Sequence, residues 1–68
     1  MQISEKLTSI RKQHHISLGT AARYSGIPKA TLWRYEKGIS RVPADVVVAL
    51  AKFYGVSVTE ILGGENHV

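Results

Sequence analysis

AARYSGIPKATLWRYEKG, residues 21–38, reads as two helices and the corner between them. Gly26 ends the first of these helices, because a glycine just past a helix takes the left-handed conformation that closes the last turn. Pro28 suits the first position of the next helix, where its missing N–H is no loss. That helix is expected over Pro28–Lys37, with Gly38 closing it in the same way. Two helices joined by three or four residues including glycine cross steeply, and the second protrudes. Their close approach needs a small inner side chain, which Ala22 supplies four residues before Gly26. Leu32 and Tyr35, three apart, then face inward. Lys29, Ala30, Trp33, Arg34 and Lys37 lie around the opposite face.

Charge follows the same segment. The chain of 68 residues carries a net +4. Between residues 23 and 41, Arg23, Lys29, Arg34, Lys37 and Arg41 stand against Glu36 alone. The other four cations, Lys6, Arg11, Lys12 and Lys52, are balanced by Glu5, Asp45, Glu60 and Glu65. The whole excess therefore sits in one segment. A polyanion-binding surface needs such a bias, and an ordinary solvated surface does not. Nucleic-acid phosphates are the usual polyanion and an anionic membrane the other candidate. A membrane-surface helix needs a continuous apolar face beside its cations, which this segment lacks once Leu32 and Tyr35 are buried.

The flanking sequence adds three more helices. Ile3, Leu7 and Ile10 form one helical stripe, predicting a first helix from Ile3 to His14. Ile16 tucks under the core. Ser17 is placed to cap a second helix, Leu18–Ser25. Val46, Val47, Leu50 and Phe53 or Tyr54 give the buried stripe of a fourth helix, Pro43–Tyr54, stopped by Gly55. Ser57 or Thr59 caps a short fifth helix holding Ile61 and Leu62. The fold class expected is all-α, a compact five-helix bundle of one domain over residues 1–64, with 65–68 a frayed tail.

A chain this short buries only about 60% of its unfolded surface. It has no cysteine, so neither a disulfide nor a cysteine zinc site helps it. Efficient helix packing or self-association must do so. His14 and His15 are adjacent, which is poor spacing for a shared metal ion, and they read as surface residues at a helix end. No apolar run reaches the ~18 residues of a membrane span, and the N-terminus has no signal-peptide core. These features predict a cytoplasmic protein. No catalytic grouping, cofactor motif or small-molecule pocket is evident, so an enzyme is not expected.

Three pieces of the chain, LTSIRKQHHIS (7–17), residues 21–38 and VVALAKFYGVSVTEIL (47–62), make it resemble the lambda-repressor-like helix–turn–helix proteins of the xenobiotic-response-element type. The resemblance implies operator binding as a dimer, with the third helix as the recognition helix. It also implies an ion pair between Arg11 and Glu36 that pins this helix to the first. Two positions depart from the pattern. Leu18 stands where a phosphate-gripping glutamine is usual, and Ala21 where a larger aliphatic is.

Within that frame, Lys29 and Arg34 are candidates for reading base edges, since arginine bonds guanine O6 and N7 together. Ala30 suits a thymine methyl. Trp33 has two readings: contact with thymine methyls or sugars, or folding back onto the second helix to cover the underfilled site at Ala21, a cover that Tyr24 also suits. Ser17, Leu18 (through backbone N–H), Arg23, Pro28, Lys37, Ser40 and Arg41 are candidates for phosphate contact. Phe53, Val56, Val58, Ile61 and Leu62 are the candidate homodimer surface. The function these readings predict is a sequence-specific double-stranded DNA-binding transcriptional regulator, a repressor or controller on a palindromic operator. The alternative is an antitoxin or partner-binding adaptor on the same scaffold.

Overall fold

The structure is a computed structural model and describes residues 2–63 of the chain. The tail expected at 65–68 lies outside these residues. Five helices follow one another: α1 Gln2–Gln13, α2 Leu18–Ser25, α3 Lys29–Lys37, α4 Ala44–Tyr54 and α5 Val58–Leu62. There is no strand among the described residues.

Local chemistry sets the boundaries. α1 starts with Glu5 in its first turn and ends with Arg11 and Lys12 in its last, each placed favourably for the helix dipole. It stops one residue short of the expected His14. His15 there takes a left-handed backbone, φ 57°, with its N–H donated to Lys12 O at 2.9 Å. Ser17 caps α2 through its hydroxyl, which accepts from Thr20 N at 3.1 Å. Gly26, at φ 81°, closes that helix with its N–H on Ala22 O. Pro28 and Pro43 are the cap residues of α3 and α4 rather than their first helical residues. Their extended ψ of 141° and 154° holds the carbonyl so that Leu32 N and Val47 N bond to it at 2.9 and 3.0 Å. Ser57, not Thr59, caps α5, accepting from Glu60 N at 3.0 Å.

The core is drawn from every helix: Leu7 and Ile10, Ala21 and Ala22, Leu32, then Val47, Leu50, Ala51 and Tyr54, and finally Ile61. α1 packs on α3 and α5, α2 on α3 and less extensively on α4, and α4 on α5. Ile16 and Tyr35 are half-buried against this core, as expected. Ala21 is fully buried although small. Tyr24 is 70% exposed and Trp33 44% exposed, so Tyr24 stands largely in water while Trp33 has a little over half of its surface covered.

A tie not foreseen joins α1 to α4. The His14 ring stands 2.9 Å from Ile10 O through Nδ1 and 3.0 Å from Tyr54 O through Nε2. Its ring also packs on Tyr54 at 5.4 Å between centroids. His14 is exposed, as expected, and its ring is structural as well. The Tyr54 hydroxyl is buried with no hydrogen-bond partner among the described residues. Burial pushes that phenol's pKa up to about 12, with the Glu36 charge adding to the rise and Arg11 opposing it.

Candidate nucleic-acid interface

Two groups aim α3. Leu32, fully buried, anchors its inner face in the core. Glu36, one turn on, is buried as well and meets α1: Arg11 Nε donates to Oε2 at 2.8 Å and Nη2 to Oε1 at 3.0 Å. A bidentate fork of this kind fixes direction as well as distance. Arg11 Nη1 also donates to Ile16 O at 2.9 Å, tying the α1–α2 link to the same clamp. Hydrogen bonding to Glu36 raises the guanidinium pKa further above its ordinary value. Thr8 adds its hydroxyl 3.3 Å from Glu36 Oε1. The sequence reading missed Thr8, although it lies three residues before Arg11 on the same helix face.

The end of α3 is closed equally tightly. Gly38 has φ 75°, and a methyl at its Cα would stand 3.3 Å from Ser4 Oγ. Both the backbone angle and the close approach of Ser4 on α1 therefore disfavour a larger residue. Ile39 N and Ser40 N turn back onto Arg34 O at 3.0 and 3.4 Å, which sets where the 39–43 loop leaves the helix.

With α3 held this way, Lys29, Ala30, Trp33, Arg34 and Lys37 are all exposed on its outer side. Lys29 does not point straight out. Its Nζ and the Ser17 Oγ each lie 3.9 Å from the position a Gly19 Cβ would occupy, so the ammonium leans over the first turn of α2. Two positive features, the ammonium and the helix N-terminus, share that spot, an arrangement that suits an anion between them. Ser17, Arg23 and Pro28 are exposed beside it, while the Leu18 side chain packs inward and leaves only its backbone N–H there. The Ser17 hydroxyl proton goes to Thr20 Oγ1 at 2.9 Å. Beyond α3, Arg41 is exposed and Ser40 half-buried. Arg23 lies 5.9 Å from the ring centroid of the exposed Tyr24, a loose cation–π pair.

The candidate dimer residues fare differently. Ile61 has no exposed surface and is a core residue, because α5 is seated by it against α1 and α4. Phe53, Val56 and Val58 are half-buried against the same core, and of the five only Leu62, 45% exposed, is open. Val48, at 41%, and Ile39, at 62%, are exposed apolar residues the sequence did not mark. An open groove of about 820 Å³ runs between α1, the end of α3 with the loop after it, α4 and α5; Ile3, Tyr35, Val47, Val48, Val58 and Leu62 line it together with the loop residues 40–43.

A protruding, clamped helix with a cationic outer face, set behind a glycine corner, defines a helix–turn–helix protein. Sequence comparison places the chain within this class: residues 7–61 match the helix-turn-helix family, and the chain belongs to it, among the lambda-repressor-like helix–turn–helix proteins of the xenobiotic-response-element type. It is 37% identical over 59 residues to the uncharacterized HTH-type transcriptional regulator YobD of Bacillus subtilis (strain 168), covering 87% of this chain and 53% of that one. It is 41% identical over 46 residues to Repressor protein C of Escherichia phage P2, covering 68% and 46%. Antitoxin PezA of Streptococcus pneumoniae serotype 4 is 33% identical over 64 residues, covering 94% and 40%. The chain spans from a fifth to about half the length of the curated relatives it matches. No solved structure matches it. Among the described residues, no helix is long and apolar enough to cross a membrane.

Proposed function

We propose that this chain is a sequence-specific double-stranded DNA-binding transcriptional regulator, a repressor or controller that sets α3 in the major groove. The observation that carries the reading is the division of α3. Leu32 and Glu36 hold it from behind, and five residues, three of them cations, are left outward. An α-helix fits the major groove in width, and cations flanking its outer face reach phosphates on both sides. Arg34 and Trp33 face base edges. Lys29 joins the backbone N–H groups of Ser17 and Leu18 at the α2 N-terminus in gripping one phosphate, the task left open by the Leu18 side chain. Arg23, Pro28, Lys37, Ser40 and Arg41 track the backbone.

One domain reads few base pairs, and a homodimer on a palindrome doubles the reading. The seat for a second copy is the exposed Leu62 with Val48 and the groove beside them, flanked by the half-buried Phe53, Val56 and Val58. Selection of bound duplexes from a random pool tests both parts: a symmetric consensus is the expected result, and retention of no duplex overturns the function. Salt sensitivity supplies a second measure. Lys29, Arg23, Lys37 and Arg41 from each of two protomers predict a slope of log K on log salt near −7, as each neutralised phosphate contributes about −0.9.

The likeness to an antitoxin favours one other reading, a partner-binding adaptor whose apolar groove takes a different protein. Light scattering of the purified chain separates the two. A stable homodimer supports the first reading, and a monomer that binds no DNA supports the second.

A further inference from the structure

The outer face of α3 carries an apolar patch that its role as a cationic helix does not require. Trp33 is 44% exposed, the second most open large aromatic of the described residues after Tyr24. Among the described residues its indole N–H has no hydrogen-bond partner and its ring no aromatic or cationic neighbour. Ala30, one turn earlier on the same face, is exposed too, and being small it leaves a step beside the ring. Lys29, Arg34 and Lys37 are exposed on the same helix. A ring this large gains by burial only against apolar surface. In the major groove nearly every feature of a base edge is a hydrogen-bond donor or acceptor, and the 5-methyl group of thymine is the apolar exception. Cytosine methylated at C5 presents the same methyl group at the same carbon.

We propose that the step formed by Ala30 and Trp33 recognises the 5-methyl group of a pyrimidine, so that thymine and 5-methylcytosine are favoured over uracil and cytosine at one position of each half-site. The inference rests on α3 entering the major groove. It makes binding sensitive to cytosine methylation wherever a cytosine falls at that position. The exposed cations bring the helix to the duplex, and the apolar step chooses among the edges it meets there.

The test uses a duplex retained in the selection and the full chain. Each thymine is replaced singly by deoxyuridine, which removes the methyl group and leaves the hydrogen-bonding edge intact. At one position per half-site the loss expected is about three- to fivefold in affinity, the worth of one buried methyl-sized group. Placing cytosine there weakens binding, and 5-methylcytosine recovers a similar factor relative to cytosine. Trp33→Ala, its folding checked by circular dichroism, binds the thymine and uracil duplexes equally. Trp33→Phe keeps part of the discrimination. Equal binding of thymine and uracil at every position overturns the inference and leaves the DNA-binding reading intact. Full discrimination persisting in Trp33→Ala also overturns it, because another residue then reads the methyl group. Retention of no duplex at all overturns both.

Discussion

Cutting the α1–α3 clamp from one side is more damaging than removing it whole. In Arg11→Met the Glu36 carboxylate, whose side chain is 4% exposed, keeps only the Thr8 hydroxyl at 3.3 Å. Removing one partner of a buried pair costs about 3–5 kcal/mol, since the other charge is stranded. The Arg11 side chain is 14% exposed, so water reaches one edge of the pair, and the lower figure, about 3 kcal/mol, applies here. A domain of 68 residues has a stability of roughly 3–10 kcal/mol. The single variant therefore keeps between about 0 and 7 kcal/mol of stability, with a melting temperature lower by about 12–24 °C. Replacing both residues by methionine removes both charges and fills the space. That variant should melt within a few degrees of the parent, the residual loss coming from Ile16 O, which Arg11 Nη1 no longer serves. Circular dichroism melts of the parent, Arg11→Met, Glu36→Met and the double variant give the complete cycle. If Arg11→Met melts like the parent, the carboxylate is not stranded and the clamp does not hold α3. If the double variant is as unstable as the singles, the loss comes from side-chain volume and the charge argument fails.

Four shorter tests address other parts of the molecule. His15→Gly relieves the left-handed backbone at φ 57° and should raise stability by about 1 kcal/mol, read as a higher melting temperature. Gly38→Ala should destabilise more than Gly26→Ala in denaturant melts: both have positive φ, but a methyl group meets Ser4 Oγ at 3.3 Å only at Gly38. Tyr54→Phe should equal or exceed the parent in stability at neutral pH, since the hydroxyl is buried with no partner among the described residues. The parent's phenol ionises near 10 unfolded and about 12 folded, so its full stability holds below pH 10 and up to about 2 kcal/mol is lost as pH rises through 12. Tyr54→Phe lacks that alkaline loss, and urea titrations at pH 9 and 11.5 compare the two. Arg34→Ala should weaken duplex binding and leave the melting curve unchanged, because the side chain is exposed; a collapse in stability shows that it is structural.

The boundaries of this fold were legible because they depend on single residues acting locally. Ser17, Ser57, Gly26, Gly38 and Gly55 each mark an end by their own hydrogen bond or backbone angle. The prolines were misplaced by one position, since a cap and a first turn impose the same φ on proline and differ only in ψ. Helical spacing put Leu32 inside and Arg34 outside. It could not decide Trp33, because a side chain beside the edge of the apolar face can turn to either side. Nor could spacing separate Ile61 from Leu62: a five-residue helix has too few turns to show which of two neighbouring aliphatics faces the core. The tie of His14 to the α4 end joins residues 40 apart in sequence, and Thr8 meets Glu36 across 28. Such pairs exist only once the helices have packed, so neither spacing nor composition announces them.

Glu36 is the single acid in the cationic stretch, and folding takes it out of view. Its charge turns inward onto Arg11, while Arg23, Lys29, Arg34, Lys37 and Arg41 all remain in water. The native surface around α3 is therefore more strongly positive than its own residues would be in a denatured chain. Collapse of the bundle puts an anion back among these cations, so the long-range pull on a polyanion weakens together with the shape that reads it.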